Sequence, residues 1–121
     1  MKRFPLFKQL DSMDCGPTCV RMIAAFYGKR YSLESLRKRS AMSRTGSSLL
    51  GLSEAAESIG FQTTGVKLTL DQLLEQAPFP CILHWRQRHF VVCYDVKKTR
   101  KGHRIYIADP AAGLLKYQED E

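Results

Sequence analysis

The sequence predicts an α+β fold in which N-terminal helices pack on a C-terminal antiparallel sheet. Two observations predict it. Apolar residues recur at helical spacing between residues 15 and 60, and short runs rich in valine, isoleucine and aromatic residues alternate with turn residues from residue 81 onwards. The chain has 121 residues, of which 44% are hydrophobic. This length and composition suffice for a single domain, residues 1–121, with one packed core.

The helical half is predicted from its end signals. Pro17 suits a first helical turn, because its missing N–H would have no helical partner there, and Gly28 supplies a stop. Ser32 is a natural N-cap for a second helix, and Gly60 closes a third. The predicted helices cover residues 15–27, about 32–40 and about 47–59.

The spacing of the apolar residues changes after residue 60. Residues 61–68 are predicted to form a strand, and residues 70–76 one or two helical turns that end before Pro78. The rest of the chain is predicted to form an antiparallel sheet. Its strands are residues 81–85, 89–96, 104–109 and 114–117, joined by turns at 86–88, 98–102 and 110–113.

The chain is basic, with nineteen Lys and Arg residues against twelve Asp and Glu residues and a net charge of +7. Acidic peptides, phosphates and anionic membrane surfaces are electrostatically compatible with this charge. Few aromatic residues stand between the basic ones. The charge therefore predicts a solvated basic surface, which includes Arg37, and no nucleic-acid partner.

The sequence also predicts a cytosolic domain. No apolar run approaches the roughly 20 residues of a membrane helix, and the N-terminus lacks the apolar core of a secretory signal. In that reducing compartment the four cysteines are expected to remain thiols.

Cys15 is the candidate nucleophile. It begins the first predicted helix, where the helix dipole and the unpaired N–H groups stabilise a thiolate. Cys19, one turn further along, and Cys81 and Cys93, within apolar strands, are predicted to be small buried hydrophobic residues. The backbone N–H at the helix start and the side-chain amide of Gln9 are candidate donors to an oxyanion.

His89 is the candidate base among the three histidines. If the hairpin turn is centred near Thr99, His89 lies directly opposite Asp109, whose carboxylate would hold the imidazole in one tautomer. His84 has no such acid, and His103 stands next to the basic turn and is expected to be solvated. A register slip of one residue would separate the predicted pair.

A zinc site is a competing use of some of these residues. It would take Cys81-x-x-His84 together with Cys93 or His89. A second compact pair of ligands is absent from the sequence, and structural zinc sites are built from two such pairs. The sequence therefore favours a hydrolytic site with no metal.

Three segments carry a family resemblance. They are Gln9-Leu10-Asp11-Ser12-Met13-Asp14-Cys15-Gly16-Pro17-Thr18-Cys19, His89-Phe90-Val91-Val92 and Ala108-Asp109-Pro110. Together they resemble the bacteriocin-processing peptidase domain of bacterial peptidase-containing ABC transporters, over nearly the whole chain. The resemblance implies a papain-like cysteine protease fold with Cys15 as nucleophile, His89 as general base, Asp109 as the acid that orients it and Gln9 as the oxyanion-hole donor.

The same resemblance implies a role in peptide export. It places the domain on the cytoplasmic face of the cell membrane, in front of the membrane and ATPase domains of a longer transporter. The implied partner is a precursor with a double-glycine leader, which the domain would cleave without a cofactor, whereas the full-length transporter would use ATP and magnesium. The leader is expected to lay an amphipathic helix in an apolar groove. The second and third helices and the sheet face of Phe90, Val92 and Tyr94 are candidate walls, although core packing is the favoured use of most of these side chains.

Two alternatives stay open. One is a module that binds the leader without cutting it, as in degenerate family members that lack the cysteine; Cys15 is present here and favours cleavage. The other is a free-standing cysteine hydrolase or transferase of another substrate class, because fold and catalytic residues do not determine the substrate.

Overall fold

Helices precede strands along the chain in the computed structural model, which describes residues 4–10, 13–40, 46–85 and 89–118. The elements are α1 (Cys15–Phe26), α2 (Leu33–Arg39), α3 (Leu49–Ser58), α4 (Leu70–Gln76), β1 (Cys81–Trp85), β2 (His89–Thr99), β3 (Gly102–Asp109) and β4 (Gly113–Gln118). The strands form an antiparallel sheet in the order β1-β2-β3-β4. The predicted α+β architecture is confirmed. The predicted turn at 86–88 lies outside the described residues.

The helix starts follow from side-chain caps. Ser32, Ser48 and Thr69 each accept a hydrogen bond from the backbone N–H three residues later, which satisfies one of the unpaired donors of a first turn. Helix α3 begins at Leu49, about two residues later than predicted, because Ser48 is its N-cap. No helix in the described part of the chain has the length and apolar character that would let it cross a bilayer.

The predicted strand at residues 61–68 is wrong. This segment has no regular secondary structure, and its Thr63 hydroxyl contacts α3. The Thr63 hydroxyl donates to the Glu57 carboxylate of α3 at 3.0 Å, while Val66 and Leu68 are 61% and 44% exposed. The apolar residues that suggested a half-buried strand are therefore mostly at the surface.

The sheet has a buried cluster on each face. On one face, Phe90, Val92 and Ala108 pack with residues of α1 that include Cys15 and Cys19. The other face is formed by four buried residues, with Leu74 of α4 and Phe79 packed against them. These four are Val91, Cys93, Ile105 and Ile107. The first cluster holds the start of α1 against the ends of β2 and β3.

Gly51 is required where α3 meets the end of α2. A Cβ at Gly51 would lie 2.2 Å from the carbonyl oxygen of Ser40, a fully buried residue. We expect Gly51→Ala to lower the free energy of unfolding by about 3 kcal/mol, because the backbone must move to admit the methyl group. Gly65→Ala is the matched control, since its Cβ would meet only a Leu49 methyl at 3.9 Å. Urea unfolding of both variants would measure the difference, and equal midpoints would contradict it.

Candidate active site

Cys15 is the first residue of α1 and is only 5% exposed. It belongs to the same buried cluster as Phe90 and Ala108, the chain neighbours of His89 and Asp109. The start of α1 thus lies at the end of the sheet where the predicted base and acid are found. The partial positive charge of a helix N-terminus favours an anion at this position.

His89 and Asp109 are in direct contact. His89 Nε2 lies 2.8 Å from Asp109 Oδ1, an oxygen that also accepts hydrogen bonds from the backbone N–H groups of Ala111 at 2.8 Å and Ala112 at 3.3 Å. An ionised carboxylate can only accept, so Nε2 must donate, and in the neutral imidazole Nδ1 is left without a proton. The predicted contact is therefore present and selects the tautomer that a general base needs.

The register of this contact differs from the prediction. Val92 pairs with Ala108, and one further step in the same register places Asp109 opposite Val91. The predicted direct pairing of His89 with Asp109 is therefore wrong. The two side chains meet along a diagonal instead, a separation that long side chains can span.

A β-bulge determines that the pair shares one face of the sheet. The turn between β2 and β3 is two residues long, and its register, if uninterrupted, would place Asp109 opposite Val92 and leave His89 on the other face. The register shifts between Cys93 and Asp95, which moves the pairing by one residue. The bulge thereby brings the two functional groups to the same side.

Gln9 is held beside the Asp109 turn. Its backbone N–H donates to the carbonyl oxygen of Pro110 at 2.9 Å. Its side-chain Oε1 is buried and has no hydrogen-bond partner among the residues that the structure describes. A buried amide oxygen without a partner is unusual in a folded protein. This acceptor atom is distinct from the amide NH₂ group that would donate to an oxyanion.

The other cysteines are also thiols, as predicted. Cys19 is fully buried, and burial, followed by the charges of Cys15 and Asp109, raises its pKa well above the ordinary value. Cys93 lies directly opposite Cys81, and the hydrogen bond with Cys81 together with burial raises the pKa of the Cys93 thiol. Cys81 is only half-buried, contrary to the prediction. A raised pKa disfavours the thiolate, so Cys19 and Cys93 are poor nucleophiles.

The zinc alternative is not supported. In the described ranges, no cluster of three or more His, Cys, Asp or Glu side chains is arranged to hold a metal ion. His84 is exposed, and its ring stacks on Phe90 with 4.6 Å between centroids. Cys81 and Cys93 lie opposite each other, but no third ligand of the proposed zinc site joins them in the described ranges.

Sequence reasoning missed one residue pair near the nucleophile. Asp14, which precedes Cys15, is 1% exposed, and Arg37 of α2 binds both of its carboxylate oxygens. Arg37 Nε lies 2.7 Å from Oδ1, and Nη2 contacts Oδ2. The assignment of Arg37 to a solvated basic surface was wrong. The sequence holds no local signal for this pair, because the packing of α2 on α1 brings the two residues together.

An apolar groove of about 350 Å³ lies between α1, α3, residues 61–65 and the start of β1 with the residues that lead into it. Its walls include Ile23, Leu52, Phe61, Phe79 and Ile82. The predicted wall from α3 is confirmed. The predicted walls from α2 and from the sheet face of Phe90, Val92 and Tyr94 are wrong, because none of these residues lines the groove. The side chains of Phe90 and Val92 are buried in the core and do not reach the groove.

Comparison with known proteins gives concordant matches. The model of the peptidase C39 family matches residues 3–121. The probable microcin-H47 secretion/processing ATP-binding protein of Escherichia coli is 38% identical over 112 residues, which are 93% of this chain but only 15% of that protein. This chain therefore spans a small part of that relative's length.

Two solved structures share the fold. A double glycine motif protease from an AMS/PCAT transporter, in complex with the leader peptide, has a TM-score of 0.90 and 34% identity, covering 98% of this chain and 82% of that one. The peptidase domain of Streptococcus ComA, a bi-functional ABC transporter of a quorum sensing pathway, has a TM-score of 0.85 and 28% identity, covering 98% and 88%. These likenesses extend over the whole architecture described above.

Proposed function

Since this chain belongs to the peptidase C39 family, we propose that it is the cysteine peptidase domain of an ABC transporter and removes double-glycine leaders from exported peptide precursors. The observation that supports this most directly is the contact of His89 with Asp109 beside the N-terminal end of the Cys15 helix. Similarity to a double glycine motif protease that was solved with its leader peptide supports the substrate class.

The proposed reaction is acyl transfer through Cys15. The thiolate attacks the carbonyl carbon of the second glycine, and a thioester forms as the peptide bond breaks. His89 Nδ1 accepts the thiol proton and then gives it to the leaving amine; water attacks the thioester in the second half of the reaction. Asp109 keeps the proton on Nε2 and stabilises the imidazolium.

The proposed oxyanion hole consists of the Cys15 backbone N–H and the side-chain amide of Gln9. The backbone of Gln9 supports this role, because its N–H donates to the Pro110 carbonyl oxygen and anchors Gln9 beside the Asp109 turn. The donor would be the amide Nε2, since Oε1 can only accept a hydrogen bond. The Cys15 backbone N–H is fixed at the start of α1, so this donor needs no reorganisation as charge develops on the oxygen.

The apolar groove is proposed to bind the helical part of the leader. Its walls are mainly apolar side chains of α1, α3 and the segment before β1, which suits the apolar face of an amphipathic helix. Leader binding at a distance from the scissile bond supplies affinity, while two glycines pass through a gap that side chains cannot enter.

The apolar groove and the narrow passage for the two leader glycines should affect different kinetic constants. Leu49 lines the groove and is 47% exposed, so Leu49→Gln should raise KM about fivefold at unchanged kcat. Leu50→Gln is the matched control, because Leu50 is 69% exposed on the same helix but outside the groove. Valine in place of either leader glycine should instead suppress kcat. Equal kinetics for valine and glycine leaders would exclude the narrow passage.

The full-length protein is proposed to place this domain at the cytoplasmic face of the membrane, before membrane and ATPase domains that use ATP and magnesium. The decisive experiment is incubation of the domain with a synthetic double-glycine precursor, with the products measured by mass spectrometry. Cleavage after the second glycine is expected. Binding without cleavage would support the leader-binding alternative, and cleavage of unrelated peptides would support a free-standing hydrolase.

A further inference from the structure

The side chain of Asp14, the residue before Cys15, does not cap the helix that begins at Cys15. Asp14 is the N-cap residue of α1, yet its side chain makes no capping hydrogen bond to the first turn. Both carboxylate oxygens are instead bound by the Arg37 guanidinium in a bidentate ion pair. Asp14 is 1% exposed, whereas the Arg37 side chain is 34% exposed.

An ordinary aspartate cap would oppose the chemistry of Cys15. It would direct a carboxylate at the first-turn N–H groups and place a negative charge where the thiolate must form. Pro17 has no N–H, so the first turn offers fewer donors than usual. A capping carboxylate and a thiolate would thus compete for the same few donors and repel each other.

We propose that Arg37 is a positioning residue for Cys15. It holds the Asp14 carboxylate away from the first turn of α1 and neutralises its charge, so that the first-turn N–H groups remain available to stabilise the Cys15 thiolate. This inference rests on the proposed function, because a thiolate at Cys15 matters only if Cys15 is the nucleophile. Other titratable or charged groups also lie on α1 and on the elements packed against it. They are Cys19 and Arg21 of α1; Glu34, Lys38 and Arg39 of α2; Glu54 and Glu57 of α3; Cys81 and His84 of β1; His89, Cys93, Tyr94, Asp95, Lys97 and Lys98 of β2; and Asp109 at the end of β3.

The test is the pH dependence of Cys15 alkylation by iodoacetamide, measured by tandem mass spectrometry of the peptide that contains Cys15. In Arg37→Gln the midpoint of the profile should rise by about one pH unit, and the rate at neutral pH should fall about tenfold, because the Asp14 charge is unmasked. Lys38→Gln is the matched control: it removes one positive charge from the same helix, at a side chain that is 78% exposed. Its profile should not move.

The double variant Asp14→Asn/Arg37→Gln distinguishes the effect of the Asp14 charge on Cys15 from a structural effect of losing Arg37. It removes both charges and keeps the shape of the pair, so its profile should return close to that of the unmodified domain. A double variant as displaced as Arg37→Gln, or an unshifted Arg37→Gln, would overturn the proposal. If Arg37→Gln does not fold, the double variant decides by itself, because a shifted profile in a folded domain that lacks both charges would overturn the proposal. Alkylation requires no leader, so this result does not depend on whether double-glycine precursors are cleaved.

Discussion

Cys15→Ala should abolish cleavage of a double-glycine precursor, with a loss of kcat of about 10⁴-fold or more, because no other group in the site can form the thioester. Leader binding should persist, since the groove uses residues of α1, α3 and the segment before β1. Turnover would be measured by mass spectrometry and leader binding by calorimetry. Undiminished turnover would exclude Cys15 as the nucleophile.

Cys19→Ala is the control for this variant. Cys19 lies one helical turn away, is fully buried, and has a raised pKa caused first by that burial. Its replacement should lower the free energy of unfolding by about 1 to 3 kcal/mol and leave turnover in place. If the two variants lost activity equally, the effect of Cys15→Ala would be structural instead of chemical.

Local signals predicted most of the helices and strands. The cap at Ser32, the stop at Gly28 and the helix before Pro78 depend only on neighbouring residues, and α1, α2 and α4 lie where these signals place them. The prediction failed at residues 61–68, because apolar side chains such as Val66 can be exposed. Their alternation resembles that of a half-buried strand, and periodicity alone does not distinguish the two.

The site was less predictable, because it depends on register and on packing between distant elements. The contact of His89 with Asp109 was expected. It requires a β-bulge between Cys93 and Asp95, and no residue in the sequence predicts this bulge. The ion pair of Asp14 with Arg37 joins residues 23 positions apart through the packing of α2 on α1. Such a pairing is a property of the packed helices and leaves no local pattern.

His89→Ala should lower kcat by about 10² to 10⁴-fold, because it removes the group that accepts the thiol proton. Asp109→Asn should lower it less, by about tenfold to thirtyfold, which corresponds to the loss of a charge-assisted hydrogen bond. The smaller effect follows from the turn. The N–H groups of Ala111 and Ala112 donate to Asp109 Oδ1, so an asparagine should present its carbonyl oxygen there and keep the proton on His89 Nε2.

The matched control for these variants is His84→Ala. His84 is exposed and stacks on Phe90 without an acid partner among the described contacts. Its removal should leave kcat within about twofold, since it takes no part in proton transfer. Single-turnover kinetics on the three variants, with thermal unfolding as a check of the fold, would rank them. If kcat fell as far in Asp109→Asn as in His89→Ala, the new side-chain amide would have turned its NH₂ group towards His89, and the imidazole proton would no longer be held on Nε2. The N–H groups of Ala111 and Ala112 would then not orient the side chain at position 109.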